Sequence, residues 1–149
     1  MDFNDGCIST NEPWAMEASI FLREEVLKRG FRTPGFRPIF CLIESHNSFV
    51  VNYDGVIYKC PGFIGIEEFK AGDLVNGPID DSTSYKPGIW NNSECMECEY
   101  LPLCYGGCRY IKFVMDGKID SPDCRRKYFD TCLETLAKQD IKYGIKAAR

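Results

Sequence analysis

A single histidine, His46, is all that the 149-residue sequence contains. That scarcity excludes a classical zinc finger with two cysteines and two histidines, and it excludes an HExxH metalloprotease site. The paired C-x2-C…C-x2-C ribbon of structural zinc sites is missing too. No apolar run approaches the roughly 20 residues that a spanning helix requires, and the N-terminus lacks the basic, apolar and small-residue segments of a signal peptide. The sequence therefore reads as cytoplasmic, with no membrane partner. Basic excess is also lacking. With a net charge of -4 and a pI near 5.1, no Lys/Arg stripe is available to neutralise a row of phosphates, so nucleic acid is not an expected partner. The one local basic cluster, Arg125, Arg126 and Lys127, reads as a solvated helix face. There is no internal repeat and no low-complexity segment.

Against these absences stand nine cysteines. In a reducing cytoplasm, cysteines at this density bind metal more often than they form structural disulfides. Nine is also odd, so a disulfide framework leaves one thiol unpaired; only an exported protein stripped of its signal restores the disulfide reading. The length supports one domain with one modest core.

The expected architecture is small, loop-rich and α+β: a cysteine-ligated metal domain with a β-hairpin and flanking N- and C-terminal helices. Residues 13–29 carry Trp14, Ala18, Phe21, Leu22, Glu25, Val26 and Arg29 at helical spacing, with Pro13 suited to the first turn and Gly30 to the stop. The connector Thr33-Pro34-Gly35-Phe36-Arg37-Pro38 cannot continue helically. Two runs of β-branched and aromatic residues, 48–53 and 56–60, flank Asp54-Gly55 and predict a hairpin. Residues 62–90, rich in Gly, Pro, Asp and Ser, read as mostly loop. Turns, with one helical turn, are expected over 95–108, and a short strand and turn over 112–119 around Asp116-Gly117. Beyond Pro122, the spacing of Phe129, Cys132, Leu133, Leu136, Ala137 and Ile141 describes a second amphipathic helix, with Gly144 near its end.

The central cysteines run Cys95-x2-Cys98-x5-Cys104-x3-Cys108, followed by Cys124, with Cys41-x13-Gly55-x4-Cys60 upstream. Loops this short wrap several thiolates around one compact centre at little closure entropy, and Pro102, Gly106 and Gly107 let the backbone approach the sulfurs. Backbone N–H groups aimed at those sulfurs would tune a reduction potential. One zinc would leave several cysteines idle, whereas two all-thiolate zinc sites are permitted by count. The eight-cysteine bacterial ferredoxin pattern is not met.

The string from Glu94 through Cys95-Met96-Glu97-Cys98 and Pro102-Leu103-Cys104-Tyr105-Gly106-Gly107 to Cys108 resembles the hallmark of SPASM domains. These are C-terminal extensions of radical-SAM enzymes that modify ribosomally made peptides and proteins. The seven-cysteine pattern of that family is matched by Cys41, Gly55, Cys60, Cys95, Cys98, Cys104, Cys108 and Cys124. The likeness covers residues 38–124 and includes Ala71-Gly72-Asp73-Leu74, similar to a Gly-Asn-Ile segment common after the family's hairpin. It implies three parts: residues 1–37, a helix and connector at the junction to a radical-SAM barrel; 38–124, the iron-sulfur domain; and 125–149, a C-terminal helix packing on it.

Carried over residue by residue, the resemblance assigns Cys95, Cys98, Cys104 and Cys124 to one [4Fe-4S] cluster, and Cys41, Cys60 and Cys108 to another. Some family members add an eighth cysteine before the hairpin glycine. Here Leu42-Ile43-Glu44-Ser45-His46-Asn47 offers none, so the fourth iron position is open, or is filled by Cys7, Cys132, His46, water or substrate. Read from the residues alone, Cys132 lies on an apolar helical stripe as a core cysteine, His46 reads as a surface histidine, and Phe36, Phe40, Phe49, Tyr53, Tyr58 and Phe63 read as core around the clusters.

The radical-SAM motif C-x3-C-x2-C is absent, since the pair Cys104 and Cys108 is followed by Arg109-Tyr110-Ile111. By itself the chain is therefore expected to be catalytically incomplete, an auxiliary domain of a radical-SAM oxidoreductase or peptide maturase. S-adenosylmethionine and its cluster would belong to the barrel of a longer chain. The implied role is electron transfer and docking of a precursor peptide or protein substrate. The other class of function the residues allow is a zinc-stabilised protein-interaction module, with zinc also a possible substitute in the iron sites.

Overall fold

The computed structural model describes residues 12–35, 38, 40–79 and 85–145; Cys7 and Phe36 lie outside them. Helix α1, Pro13–Lys28, starts where a proline costs no hydrogen bond, and Gly30 closes its end by donating to the Leu27 carbonyl at 3.0 Å. The expected span is right, but the expected face is not. Trp14, Phe21 and Leu22 are 66%, 62% and 60% exposed, while Met16 and Leu27 are buried. The reason lies across the interface, on a long C-terminal helix whose polar groups match the opposite side of α1.

A short 3-10 turn, Leu42–Glu44, leads into the predicted hairpin. Strands β1, Val50–Val51, and β2, Ile57–Tyr58, pair antiparallel, Val50 opposite Tyr58 and Val51 opposite Ile57. Gly55 donates to Asn52 O at 3.0 Å and takes a φ of 83°, the left-handed position that glycine fills without a Cβ penalty. The strands are shorter than the sequence suggests. Of the aromatic set, Tyr58 and Phe63 are core, whereas Phe40, Phe49 and Tyr53 are exposed.

The segment expected to be mostly loop holds more structure. It contains two 3-10 turns, Pro61–Phe63 and Glu67–Phe69, and a second hairpin of β3, Gly72–Asp73, and β4, Gly77–Pro78. Composition concealed this hairpin, because glycine and proline are poor strand formers. Here Ala71 donates to Ile57 O at 2.7 Å and Leu74 to Gly55 O at 2.9 Å, so the first hairpin templates the second.

Later in the described residues come helices α2, Ser93–Met96; α3, Leu101–Cys104; α4, Arg109–Asp116; and α5, Arg126–Lys142. Helix α4 corrects the strand and turn expected over 112–119. Its inward side buries Arg109 and Ile111 and brings Tyr110 and Phe113 against Phe63, and Gly117 ends it by donating to Phe113 O at 2.7 Å. Helix α5 matches the predicted second helix, although Ile141, expected on its apolar stripe, is 82% exposed.

The fold is thus small and α+β, with two short antiparallel hairpins among helices. One core gathers Ile43, Ile57, Tyr58, Phe63, Phe69, Ala71, Tyr85 and Ile119, with Cys41 and Cys60 at its edge. A second core lies between α1 and α5, where Met16, Cys132 and Leu136 pack with Ile20 and Tyr128. Around it Arg23 donates to Gln139 at 2.9 Å and pairs with Asp140, while Glu24 accepts from Lys142 at 2.6 Å and Tyr143 at 2.7 Å. Among the described residues no helix is long and apolar enough to cross a membrane.

Candidate functional site

Short elements position the central cysteines. Asn92 caps α2 by accepting from the Cys95 N–H at 3.0 Å, and the Cys98 N–H then donates to Cys95 O at 3.0 Å. Cys104 ends α3. After it Tyr105, Gly106 and Gly107 run through three consecutive left-handed conformations, with φ of 45°, 81° and 74°, and this turn delivers Cys108 to the start of α4. A Cβ on Gly107 would collide with the Asp123 carbonyl and lie 2.9 Å from its carboxylate, so the close approach requires glycine.

Cys95, Cys98, Cys104 and Cys124 all line one cavity of about 560 Å³. Its walls mix charge of both signs: Glu94 and Glu97 against Lys112, Arg125 and Arg126. The Arg126 guanidinium donates to the Cys98 sulfur. The Cys104 sulfur accepts from the backbone N–H groups of Arg125 and Gly106, which oppose the upward push that burial gives its thiol pKa. Tyr100, also on the wall, donates to Asp130 at 2.7 Å. That hydrogen bond pushes its phenol up to about 12.

Cys41, Cys60 and Cys108 form a second neighbourhood on the edge of the main core. Burial raises the Cys41 thiol, and the N–H groups of Ile43 and Arg109, donating to its sulfur, pull the other way; negative charge on Cys108 raises it further. Burial likewise raises Cys60, against donation from Gly62 and Phe63, and charge on Cys41 and Cys108 adds to the rise. Burial and neighbouring thiolate charge thus both disfavour ionising Cys41 and Cys60, and a bound cation would oppose that. Binding a metal centre here would therefore release protons.

All eight described cysteines are free of disulfides. Cys132 is fully buried between α1 and α5. His46 is exposed, and its backbone carbonyl accepts from Lys59 at 3.1 Å. Among the described residues, no three His, Cys, Asp or Glu side chains converge closely enough to hold a single metal ion.

Several residues around the thiols are not evident from cysteine spacing. Asp123 is buried and accepts from the Cys108 N–H at 3.1 Å and from Arg125 at 2.9 Å. Of the basic cluster read from sequence as a solvated face, Arg126 and Lys127 are exposed as expected, Arg126 beside Cys98, whereas Arg125 has a side chain only 11% exposed. The position of Arg125 and Arg126 directly after Cys124 is the one sequence signal that marks them. Arg109, next to Cys108, is 1% exposed and donates to Ile119 O at 2.5 Å and Tyr85 O at 2.7 Å.

No family model matches the chain. A protein of Archaeoglobus fulgidus, described only as uncharacterized, is 29% identical over 113 residues, covering 68% of this chain and 26% of its own length. The chain thus spans about a quarter of the relative it matches.

Proposed function

We propose that this chain is an auxiliary iron-sulfur domain of the SPASM type, carrying two [4Fe-4S] clusters beside a radical-SAM barrel that belongs to a longer, cytoplasmic protein. Cys95, Cys98, Cys104 and Cys124 would hold one cluster; Cys41, Cys60 and Cys108 would hold the other, with one iron left for a ligand from outside these three. The observation that carries the reading is the grouping of free thiols, four around one cavity and three around a second centre.

The donor chemistry supports clusters over single ions. Four thiolates on one zinc form a tetrahedron roughly 3.8 Å on edge. Around a cube of four irons each thiolate serves a different metal, so the sulfurs stand further apart. Cys95, Cys98, Cys104 and Cys124 share one cavity of about 560 Å³, which leaves room for a polynuclear core. Six backbone N–H groups reach the sulfurs of Cys41, Cys60 and Cys104, a pattern that stabilises thiolate charge and sets cluster potential.

When bound, such clusters supply one-electron exchange. The chain's own residues would hold the sulfurs, neutralise their charge with Arg125 and Arg126, and keep water from the Cys41 neighbourhood through the aromatic core. The outward apolar face of α1, with Trp14, Phe21 and Leu22, supports docking against the barrel and its peptide or protein substrate.

Anaerobic reconstitution with iron and sulfide tests the reading. About eight irons per chain, charge-transfer absorption in the visible and unfolding by chelator are expected, since structural metal contributes about 10 kcal/mol to folding. A colourless protein with stoichiometric zinc, or one indifferent to chelator, would reject it.

A further inference from the structure

We propose that the Asp123 carboxylate is a positioning group shared by both thiol sets, and that it makes their loading cooperative. The inference rests on the reading of both sets as cluster ligands. Its basis is a connection that neither set contains by itself.

The Asp123 side chain is 5% exposed. Its Oδ2 accepts from the backbone N–H of Cys108 at 3.1 Å and from Nε of Arg125 at 2.9 Å. Its own N–H donates to Gly106 O at 2.9 Å. Gly107 presses on it so closely that no side chain fits between. Cys124 is the next residue in the chain, and the Arg125 N–H donates to the Cys104 sulfur. One buried carboxylate therefore holds Cys108 of the second set directly and Arg125, which follows Cys124 and lies beside Cys104 of the first set.

A carboxylate in this place is not explained by stability alone. Burying it beside thiols costs desolvation, and its negative charge opposes ionisation of neighbouring sulfurs. Arg125 offsets that charge. What the arrangement supplies is direction: a carboxylate gripped by the Arg125 guanidinium and the Cys108 N–H, on a backbone itself tied to Gly106, has one orientation, and so do the segments that grip it. Whatever fixes the Tyr105-Gly106-Gly107 turn from one side fixes it for the other. Loading either set therefore prearranges ligands of its neighbour, and the coupling is reciprocal by thermodynamic necessity.

The experiment titrates iron and sulfide into the full chain and its Asp123→Asn and Asp123→Ala variants, following site occupancy by Mössbauer and native mass spectrometry. In the wild type, chains carrying both clusters appear with few half-loaded ones. In Asp123→Ala, half-loaded chains dominate at limiting iron and affinity falls roughly tenfold to a hundredfold, as for other groups that orient metal ligands. Asp123→Asn keeps an acceptor for the Cys108 N–H but loses the charge, so it restores loading while its midpoint potential moves upward, a change that a merely structural role would not produce. Wild-type cooperativity and affinity in both variants would overturn the inference and leave the cluster reading standing. Failure of the wild type to take up iron overturns both. If Asp123→Ala does not fold, the Asparagine variant decides: loading with an unshifted potential rejects the role.

Discussion

Arg109 Nη2 lies 3.8 Å from Glu44 Oε1, with the two side chains 1% and 7% exposed. The contact joins the start of α4 to the 3-10 turn that follows Cys41. Arg109 also serves the Tyr85, Lys86 and Ile119 carbonyls, and Glu44 accepts from the Gly88 N–H at 2.6 Å. Arg109→Met would leave three carbonyls without this donor and a buried carboxylate without its cation. A loss of about 3–5 kcal/mol is expected, read as a lower urea midpoint for the reduced protein. A midpoint within error of the wild type would show that the pair is dispensable.

Gly107→Ala places a methyl group against the Asp123 carbonyl, at a φ of 74° that L residues rarely adopt. The backbone must give, because the obstacle is not a flexible side-chain tip. A cost of about 3 kcal/mol is expected, together with poorer iron loading. Calorimetry of the variant checks the first, and iron content the second.

Cys132→Ala separates packing from ligation. The thiol is fully buried between α1 and α5 beside Met16 and Leu136, so its loss should cost about 1 kcal/mol and leave iron content unchanged. Cys95→Ser should do the reverse, lowering iron per chain by half or more with little effect on docking of α1 on α5. Iron lost from the Cys132 variant would make that thiol a ligand.

Glu24 accepts hydrogen bonds from Lys142 and Tyr143, and the first of these does most to hold its carboxyl below the usual carboxylate range. A carboxyl depressed on folding contributes stability that is present above its unfolded pKa, near 4.5, and is lost as pH falls through the lower folded value. Glu24→Gln removes that contribution. Melting temperatures measured from pH 6 down to pH 3 should fall more steeply for the wild type than for the variant. Parallel curves would remove Glu24 from the account of helix docking.

Much of the candidate site was legible in the cysteine spacing, because short loops restrict which thiols can meet. The spacing marks Cys95, Cys98 and Cys104, and the structure puts all three on one cavity wall with Cys124. It cannot mark Asp123 or the N–H donors, since a buried acid looks like a surface acid in sequence, and every residue except proline carries an N–H. Local signals also misjudged residues 112–119, where a short strand is expected before the turn at Asp116-Gly117; the turn is there, but a helix precedes it. Contacts of Tyr110 and Phe113 with Phe63 favour a helix instead.

Local chemistry alone determined where α1 begins and ends, that a second helix follows Pro122, where the Asp54-Gly55 hairpin turns, and which cysteines are spaced for a shared centre. Proline, glycine and hydrophobic period act over a few residues, so they are readable without the fold. Only tertiary structure decided which face of α1 is buried, that residues 72–78 pair as strands, and that Asp123 lies between the two thiol groups. Those outcomes depend on partners distant in sequence: Gln139 and Asp140 for Arg23, Gly55 and Ile57 for the second hairpin, and Gly106 and Cys108 for Asp123.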